Sequence, residues 1–278
     1  MKIYNTITKK KEDFKPIKDN VVGIYSCGPT VYDYDHIGHA WKYFSDDILK
    51  RTFEYLGYKV NHVMNITDVG HLTSDADEGE DKLDKKAKKE NKTPWEIAEF
   101  YTKIFFENSK KMNNIEADVI CKATDYVKEM IAMNEILVKK GFAYESDDAV
   151  YFDITKFSDY GKLSGNTLEN LKAGVRVEVN KNKKNPHDFV LWVKAIGEHE
   201  NHAMVWDSPW GKGFPGWHLE CSTMSTKHLG NTIDIHTGGE DNIFPHHECE
   251  IAQSESATGK KFVNYWMHND YLIVDGTK

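Results

Sequence analysis

Two histidines stand three residues apart where a helix is predicted to begin, in the sequence His-Ile-Gly-His at residues 36–39. They follow a short apolar run, "VVGIYSCG" at residues 21–28, which is typical of a buried strand. The junction of a strand and a helix directs backbone N–H groups and the positive end of the helix dipole at one point, which favours an anion. His36 and His39 therefore suggest a phosphate site, and capping of the helix by surface histidines is the alternative.

A second group of residues carries side chains that bind metal ions. His246 and Glu250 are four residues apart in a helix predicted to begin at Pro245, so they lie on one face with room for an ion between them. Together with Cys27 and Cys221 they would supply four ligands of the types that zinc accepts. Two thiolates argue against magnesium or calcium. Spacing alone leaves open that both cysteines are ordinary buried thiols.

The cysteines are too scattered for a disulfide framework, and a reducing compartment fits their spacing better. His247 and Cys249 are expected to point away from the possible metal position, on other faces of the predicted helix. The chain contains four cysteines in all: Cys27, Cys121, Cys221 and Cys249.

These side chains need a scaffold, and the first part of the chain predicts one. A strand at 21–28, a helix at 36–57 and a second strand at 58–67 form a βαβ unit, which is parallel and right-handed as a rule. Ligands of such units bind at the carboxyl ends of the strands, where residues 27–30 and 65–68 both fall. We therefore expect these two segments to be neighbours in space.

The rest of the chain predicts helices, an insertion and a return to the α/β pattern. Thr93 and Pro94 have the types preferred at the N-cap and the first turn of a helix. The predicted elements are helices at 93–113 and 124–141, an inserted α+β segment at about 142–206, a helix from about Trp217, a strand at 231–239, the helix at Pro245, and a pair of short strands within 264–276.

Composition excludes several classes of protein. The 278 residues are 40% hydrophobic, and no apolar run is long enough to span a membrane. The N-terminal "MKIYNTITKKKEDF" is charged and lacks the apolar core of a secretory signal, so we predict a cytoplasmic location.

The charge distribution gives little support for nucleic-acid binding, since the formal net charge is −8. One local exception is "KLDKKAKKENK" at residues 82–92, with six lysines against two acids. A solvated helix face or loop is the ordinary interpretation of such a run, and a surface for nucleic acid is the other.

Five segments together resemble one enzyme family. They are "CGPTVYDYDHIGHA", "NITDV", "NPHDFVLW", "PGWHLECS" and "FPHHECEIAQ", and they occur in the order found in cysteinyl-tRNA synthetase, a class I aminoacyl-tRNA synthetase. The resemblance implies a Rossmann-like (HUP-type) α/β catalytic domain with a parallel sheet and an inserted α+β connective-peptide segment. It also implies three parts: a first half of the catalytic domain at 1–118, the insertion at 119–206, and the second half at 207–278.

The resemblance implies one Zn²⁺ per chain, held by Cys27, Cys221, His246 and Glu250. A metal would answer a problem of selectivity, because an apolar pocket separates small side chains only about 10- to 200-fold. Thiolate is a soft ligand that zinc prefers to a neutral hydroxyl. Zinc would thus select the substrate thiol, with His218 and His236 as neighbours of the ligands.

The resemblance also implies roles for the other residues. His36 and His39 would be catalytic, by stabilising charge on the α-phosphate. ATP and the adenylate would be bound by Thr30, His36, Gly38, His39, Gly239, Asp241 and Ile273. Cysteine would be bound by Gly28, Asn65, Thr67, Trp217 and Asp241.

The resemblance implies a cysteine–tRNA ligase with L-cysteine, ATP with Mg²⁺, and tRNA(Cys) as substrates, acting as a monomer and without a membrane. Family members continue after "VDGTK" with Met-Ser-Lys-Ser and an anticodon-binding domain, so we expect this chain, which ends at Lys278, to be weak or inactive in catalysis. Three alternatives stay open: a ligase joining cysteine to an amino-sugar, as in mycothiol synthesis, a zinc-dependent hydrolase, and a non-catalytic zinc- or cysteine-binding module.

Overall fold

The computed structural model describes residues 1–69, 72, 79–174, 180–273 and 275. The strands are β1 Lys2–Asn5, β2 Lys10–Asp13, β3 Val21–Ser26, β4 Lys59–Ile66, β5 Val119–Lys122, β6 Ala143–Glu145, β7 Ala149–Phe152, β8 Phe189–Lys194, β9 Gly213–Pro215, β10 Ile233–Gly239 and β11 Val263–Asn269. The helices are α1 Ile37–Tyr55, α2 Lys82–Glu90, α3 Pro94–Lys111, α4 Val127–Lys139, α5 Leu168–Gly174, α6 Trp217–Leu229 and α7 Glu248–Thr258.

A parallel sheet of five strands forms the centre of the fold, in the order β11-β10-β3-β4-β5. The predicted Rossmann-like α/β class is confirmed. The chain builds outward from β3 through β4 and β5, and later returns on the other side of β3 with β10 and β11. Such a reversal opens a crevice at the carboxyl ends of the two central strands. β3 and β10 therefore border the natural position for a ligand.

Helix α1 connects β3 to β4 and has the predicted length. Its last turn is followed by Gly57 at φ 87°, the left-handed conformation in which glycine ends helices without strain. The buried face of α1 carries Phe53, whose ring lies 4.7 Å from the ring of Phe14. This packing fixes α1 against the sheet and so fixes the position of its N-terminus.

Helix α3 begins as the sequence predicts, with Thr93 as N-cap and Pro94 in the first turn. The hydroxyl of Thr93 accepts a hydrogen bond from the backbone N–H of Glu96 at 3.3 Å. The Glu96 carboxylate in turn accepts from the backbone N–H of Thr93 at 2.8 Å. This reciprocal pair is a capping box.

The lysine-rich segment forms α2, which buries Leu83 and Ala87 and turns its lysines outward. Lys86 pairs with Asp33 at 3.0 Å, and Lys88 is also paired with an acid. The ordinary interpretation, a solvated helix face, is the one that this arrangement supports.

A second, antiparallel sheet has the order β6-β7-β8-β9, and its core contains the fully buried Trp192 and Phe152. Three of its four strands, β6, β7 and β8, lie within the predicted inserted α+β segment. The division of the chain at residues 118/119 and 206/207 stays a prediction. Both sheets extend across it, since β5 pairs with β4, and β9 pairs with β8.

Two predicted elements differ from the structure. The helix expected from Pro245 begins at Glu248, and residues Ile243–His247 form an irregular turn in which Phe244 has extended φ/ψ. The residue before a proline is disfavoured in helical φ/ψ, which accounts for the extended backbone of Phe244. The predicted terminal pair of strands is one strand, β11; residues 274 and 276–278 lie outside the described part of the chain.

Within the described residues, no helix is both long and apolar enough to cross a membrane.

Candidate active site and metal centre

The segments that follow β3 and β4 meet, as the βαβ unit predicts. The side-chain oxygen of Asn65 accepts a hydrogen bond from the backbone N–H of Gly28 at 2.7 Å. Thr30 and Thr67 extend the pairing by one bridge beyond the strands. A Cβ on Gly28 would lie 1.5 Å from the carbonyl oxygen of Asn65, so only glycine fits at this approach.

The four predicted metal ligands come together from four separate elements. Cys27 follows β3, Cys221 is in the second turn of α6, His246 is in the turn before α7, and Glu250 is in its first turn. Their donor atoms all lie within 4.8 Å of one another, and all four residues are buried. The arrangement brings donors that are far apart in sequence to the crevice between β3 and β10.

Two of the donor separations match those on a tetrahedral zinc ion. On such an ion, two thiolates at about 2.3 Å lie about 3.8 Å apart, and an imidazole nitrogen and a carboxylate oxygen at about 2.0 Å lie about 3.3 Å apart. The Sγ atoms of Cys27 and Cys221 are 3.8 Å apart. Nε2 of His246 lies 3.2 Å from Oε1 of Glu250. Donor chemistry and spacing therefore both suit zinc.

Neighbouring side chains hold the ligands in place. Nδ1 of His246 lies 2.8 Å from Nδ1 of His218, and the other oxygen of Glu250 lies 2.8 Å from Nε2 of His236. The Trp217 ring lies 4.2 Å from the ring of His246. Partners of this kind fix the orientation and tautomer of a metal-binding histidine.

A second group of possible metal donors shares Cys27 and Glu250 with the first. Nε2 of His247 lies 3.2 Å from Sγ of Cys27, and His236 and Glu250 complete a group whose atoms also lie within 4.8 Å. The expectation that His247 points away was wrong: His247 and Glu250 are three residues apart, so they lie on one helix face, with Nε2 of His247 3.8 Å from Oε1 of Glu250. Cys249 does point away: its sulfur lies 3.5 Å from the hydroxyl of Tyr160.

Burial strongly shifts the pKa values of the donor side chains. Desolvation raises the pKa of the Cys221 thiol and of the Glu250 carboxyl well above their ordinary values. It lowers the pKa of His247 well below its ordinary value. These shifts oppose the charged forms of the acids, and a bound cation would reverse that preference by stabilising thiolate and carboxylate.

His36 and His39 cap helix α1. Nδ1 of His36 accepts from the backbone N–H of Gly38 at 3.1 Å, and Nδ1 of His39 accepts from the backbone N–H of His36 at 3.3 Å. The two rings are stacked with their centroids 3.8 Å apart. The alternative interpretation, capping by surface histidines, therefore describes their geometry.

This capping has a chemical consequence. A ring nitrogen that accepts a hydrogen bond carries no proton, so each neutral imidazole has its proton on Nε2. Desolvation and the neighbouring His36 lower the pKa of His39, which favours its neutral form. Both exposed rings thus present an Nε2–H donor at the end of a helix where backbone N–H groups and the dipole already favour an anion.

The remaining predicted residues lie at the ends of β10 and β11. Gly239 ends β10, and a Cβ there would lie 2.4 Å from a carboxylate oxygen of Asp241. Asp241 is exposed and close enough to His39 to interact electrostatically with it. Ile273 follows β11 and is 63% exposed.

The sequence analysis did not identify two further residues at the site, Lys42 and Glu220. Lys42 is 8% exposed, and its Nζ donates to the carbonyl of Cys27 at 2.6 Å while pairing with Asp46 at 2.7 Å. The i, i+4 spacing of Lys42 and Asp46 was the available signal. Glu220 is fully buried and accepts from the hydroxyl of Thr67 at 2.7 Å, a contact that no local pattern reveals.

Comparisons with known proteins agree with this architecture. A methionyl-tRNA synthetase from Mycobacterium tuberculosis, solved with methionyl-adenylate, superimposes with a TM-score of 0.68 at 12% identity, over 90% of this chain and 57% of that one. The fold is therefore the Rossmann-like fold of class I tRNA synthetases. Sequence comparison is more specific: the family described as "tRNA synthetases class I (C) catalytic domain" matches residues 13–278.

Over the region that aligns with this chain, the curated relatives are 50–54% identical to it. A cysteine–tRNA ligase from Treponema denticola is 54% identical over 278 residues, covering 100% of this chain and 56% of that protein. Proteins of the same name from Chlorobaculum tepidum and Thermococcus kodakarensis are 53% and 50% identical, over 57% and 56% of their lengths. The chain belongs to the family of class I (C) tRNA synthetase catalytic domains and spans about half the length of these relatives.

Proposed function

We propose that this chain carries the catalytic domain of a cysteine–tRNA ligase. In the first step a carboxylate oxygen of L-cysteine attacks the α-phosphorus of ATP, which is bound with Mg²⁺, and pyrophosphate leaves. In the second step the cysteinyl group passes from AMP to the 3′ end of tRNA(Cys). The observation that carries the proposal is the donor set of Cys27, Cys221, His246 and Glu250 beside the helix terminus at His36 and His39.

Zn²⁺ would be held by Cys27, Cys221, His246 and Glu250. When bound, zinc supplies a soft Lewis acid that prefers the thiolate of cysteine to the hydroxyl of serine. The chain's own contribution is to bury the four donors and to orient two of them through His218 and His236.

The substrate cysteine would lie between the donors and the ends of β3 and β4. Asn65, on β4, links the two strand ends because its oxygen accepts from the backbone N–H of Gly28, and its amide donates to Thr67 at 3.1 Å. Trp217 lies against His246 and would pack on the side chain of the substrate. The substrate amine would bind Asp241, so the carboxylate is left facing the phosphate.

The nucleotide would bind across the carboxyl ends of β3, β10 and β11. His36 and His39 would donate their Nε2–H groups to the α-phosphate as charge develops on it, which is electrostatic catalysis and needs no covalent enzyme intermediate. The other proposed contacts to ATP or the adenylate are made by Thr30, Gly38, Gly239, Asp241 and Ile273.

Exchange of labelled pyrophosphate into ATP tests the proposal. It is measured for this chain and for one extended past Lys278, with cysteine, serine, alanine or valine as the amino acid. We expect exchange in the extended form with cysteine alone. Exchange driven by a different amino acid would overturn the assignment, and transfer of cysteine to an amino-sugar in place of tRNA would favour the alternative ligase. We also propose a cytoplasmic monomer, which size-exclusion chromatography of the extended form would check.

A further inference from the structure

A third group of metal-binding side chains lies outside the site described above. Asp81 is the N-cap of α2, Asp84 is in its first turn, and His202 is in the connection between β8 and β9. Their side chains are 2%, 10% and 3% exposed, and their donor atoms lie within 4.8 Å of one another. The cluster joins two segments of the chain that are about 120 residues apart.

Two atoms at the centre of this cluster lack hydrogen-bond partners. Nε2 of His202 lies 3.7 Å from Oδ2 of Asp81 and 3.8 Å from Oδ2 of Asp84. Both separations exceed a hydrogen bond. Within the described part of the chain, neither Nε2 of His202 nor Oδ2 of Asp81 has a hydrogen-bond partner. Leaving buried polar atoms unsatisfied costs about 1–3 kcal/mol each, so such a pair calls for an explanation.

Hydrogen bonds and ring stacking fix the other atoms of the Asp81 and His202 side chains. Oδ1 of Asp81 accepts from the backbone N–H of Leu83 at 2.8 Å and from that of Asp84 at 3.1 Å. Nδ1 of His202 lies 3.0 Å from the carbonyl of Met204, and the His202 ring stacks on Phe214 at 4.0 Å. The unpartnered atoms are therefore fixed in position and face one another, as ligands supported by a second layer of contacts do.

We infer that Asp81, Asp84 and His202 bind a second divalent cation. Two carboxylates and one imidazole suit Mn²⁺ or Zn²⁺, and the absence of a thiolate from this set distinguishes it chemically from the donor set at Cys27. The spacing of 3.7–3.8 Å leaves room for an ion between the atoms, where a direct hydrogen bond would have drawn them together.

The alternative to a bound cation is a proton on His202. Burial lowers the pKa of His202, but the carboxylates of Asp81 and Asp84 more than offset this and raise it. The imidazolium form would neutralise part of the charge of the two acids. It would still leave a donor and an acceptor 3.7 Å apart, whereas a cation would satisfy all three side chains at once.

The cation would stabilise the fold by linking the start of α2 to the β8–β9 connection. An ion that binds the folded chain and not the unfolded one raises stability in proportion to the logarithm of its concentration. This inference does not depend on the proposed function, because the residues concerned have no part in it.

The test is a titration with Mn²⁺ of protein that holds one equivalent of Zn²⁺ per chain, which the thiolate donor set takes first and for which Mn²⁺ does not compete well. Electron paramagnetic resonance of free Mn²⁺ counts the ions bound, and thermal unfolding is followed in parallel. The variants are Asp84→Asn, His202→Gln and Asp81→Asn, of which the last keeps an N-cap because asparagine caps as well as aspartate. Asp153→Asn is the matched control, since Asp153 is a buried N-cap that also accepts from a backbone N–H.

We expect one Mn²⁺ per chain in addition to zinc, with a nitrogen coupling from the imidazole, and a rise in the unfolding temperature. Asp84→Asn and Asp81→Asn should weaken binding at least tenfold, His202→Gln should also abolish the nitrogen coupling, and Asp153→Asn should bind normally. The inference is overturned if the unsubstituted protein binds no Mn²⁺, or if Asp153→Asn loses binding to the same degree as the other variants.

Discussion

At the scale of single residues, His246 and His247 are adjacent, and each belongs to a different donor group that contains Cys27. His246 belongs to the donor set with Cys221, and His247 to the set with His236. Nδ1 of His247 lies 2.7 Å from Nε2 of His268, so that ring is held by β11. The set with Cys221 supplies two thiolates, which zinc favours over a single one.

Zinc content separates the two sets. Cys221→Ser and His246→Ala should each lose most of the zinc, whereas His247→Ala should keep close to one equivalent. Cys121→Ser is the control, because Cys121 is buried at 1% exposure and belongs to neither set. Metal analysis after dialysis gives the answer, and stoichiometric zinc in His246→Ala would refute the proposed ligands.

His36 has two roles that one pair of substitutions can separate. His36→Asn keeps an N-cap acceptor for α1 but removes the outward Nε2–H, so stability should change little while pyrophosphate exchange falls at least tenfold. His36→Ala removes the cap as well and should cost about 1 kcal/mol of unfolding free energy. Denaturant unfolding and exchange in the extended form measure the two effects. Normal exchange in His36→Asn would contradict the phosphate role.

At the scale of elements, the starts of the helices show what the sequence can and cannot predict. The sequence predicted α1 and α3 within about two residues, because their caps and apolar spacing are local signals. It placed the start of α7 three residues too early, at Pro245, because proline is common in the first turn of a helix. The approach of His247 to Cys27 was also missed, although the i, i+3 spacing of His247 and Glu250 places both on one helix face.

The capping box of α3 gives a direct test at this scale. Thr93→Ala removes the acceptor for the N–H of Glu96 and should lower the free energy of unfolding by about 1 kcal/mol. Thr93→Ser keeps the hydroxyl and should stay within about 0.5 kcal/mol of the unsubstituted protein. Urea unfolding measures both, and equal stability of the two variants would show that the box contributes nothing.

At the scale of the whole molecule, long-range contacts limit what the sequence can predict. The α/β class and the meeting of Gly28 with Asn65 follow from the order of strand, helix and strand. The zinc ligands were selected among alternatives by a family resemblance, not by spacing. The cluster of Asp81 with His202 has no local signal at all, because only the folded chain brings α2 to the β8–β9 connection.

Global stability should depend on pH through a buried histidine of the central sheet. His62 lies on β4, is 4% exposed and contacts the hydroxyl of Ser26 at 2.8 Å. Burial lowers its pKa from 6.5 to about 4. Below its unfolded pKa the unfolded chain therefore binds one more proton, so the free energy of unfolding falls as the pH falls.

The loss from His62 should be about 1.4 kcal/mol between about pH 7.5 and about pH 5.5. It should be absent from His62→Gln, whose stability then varies less with pH over this window. Urea unfolding of zinc-loaded protein at both pH values measures the difference between the two proteins. An equal pH dependence in the variant would show that His62 is not the group responsible.

The wide separation of the zinc donors also sets an order of events during synthesis. Cys27 and Glu250 are 223 residues apart, and β10, the neighbour of β3, lies in the same distant part of the chain. At about 5–20 residues per second, a ribosome needs roughly 10–45 s to make the intervening chain. The thiol of Cys27 thus leaves the ribosome long before its partners exist. Metal capture by the full donor set therefore cannot precede synthesis of the segment that carries Glu250, and an early oxidant would reach Cys27 first.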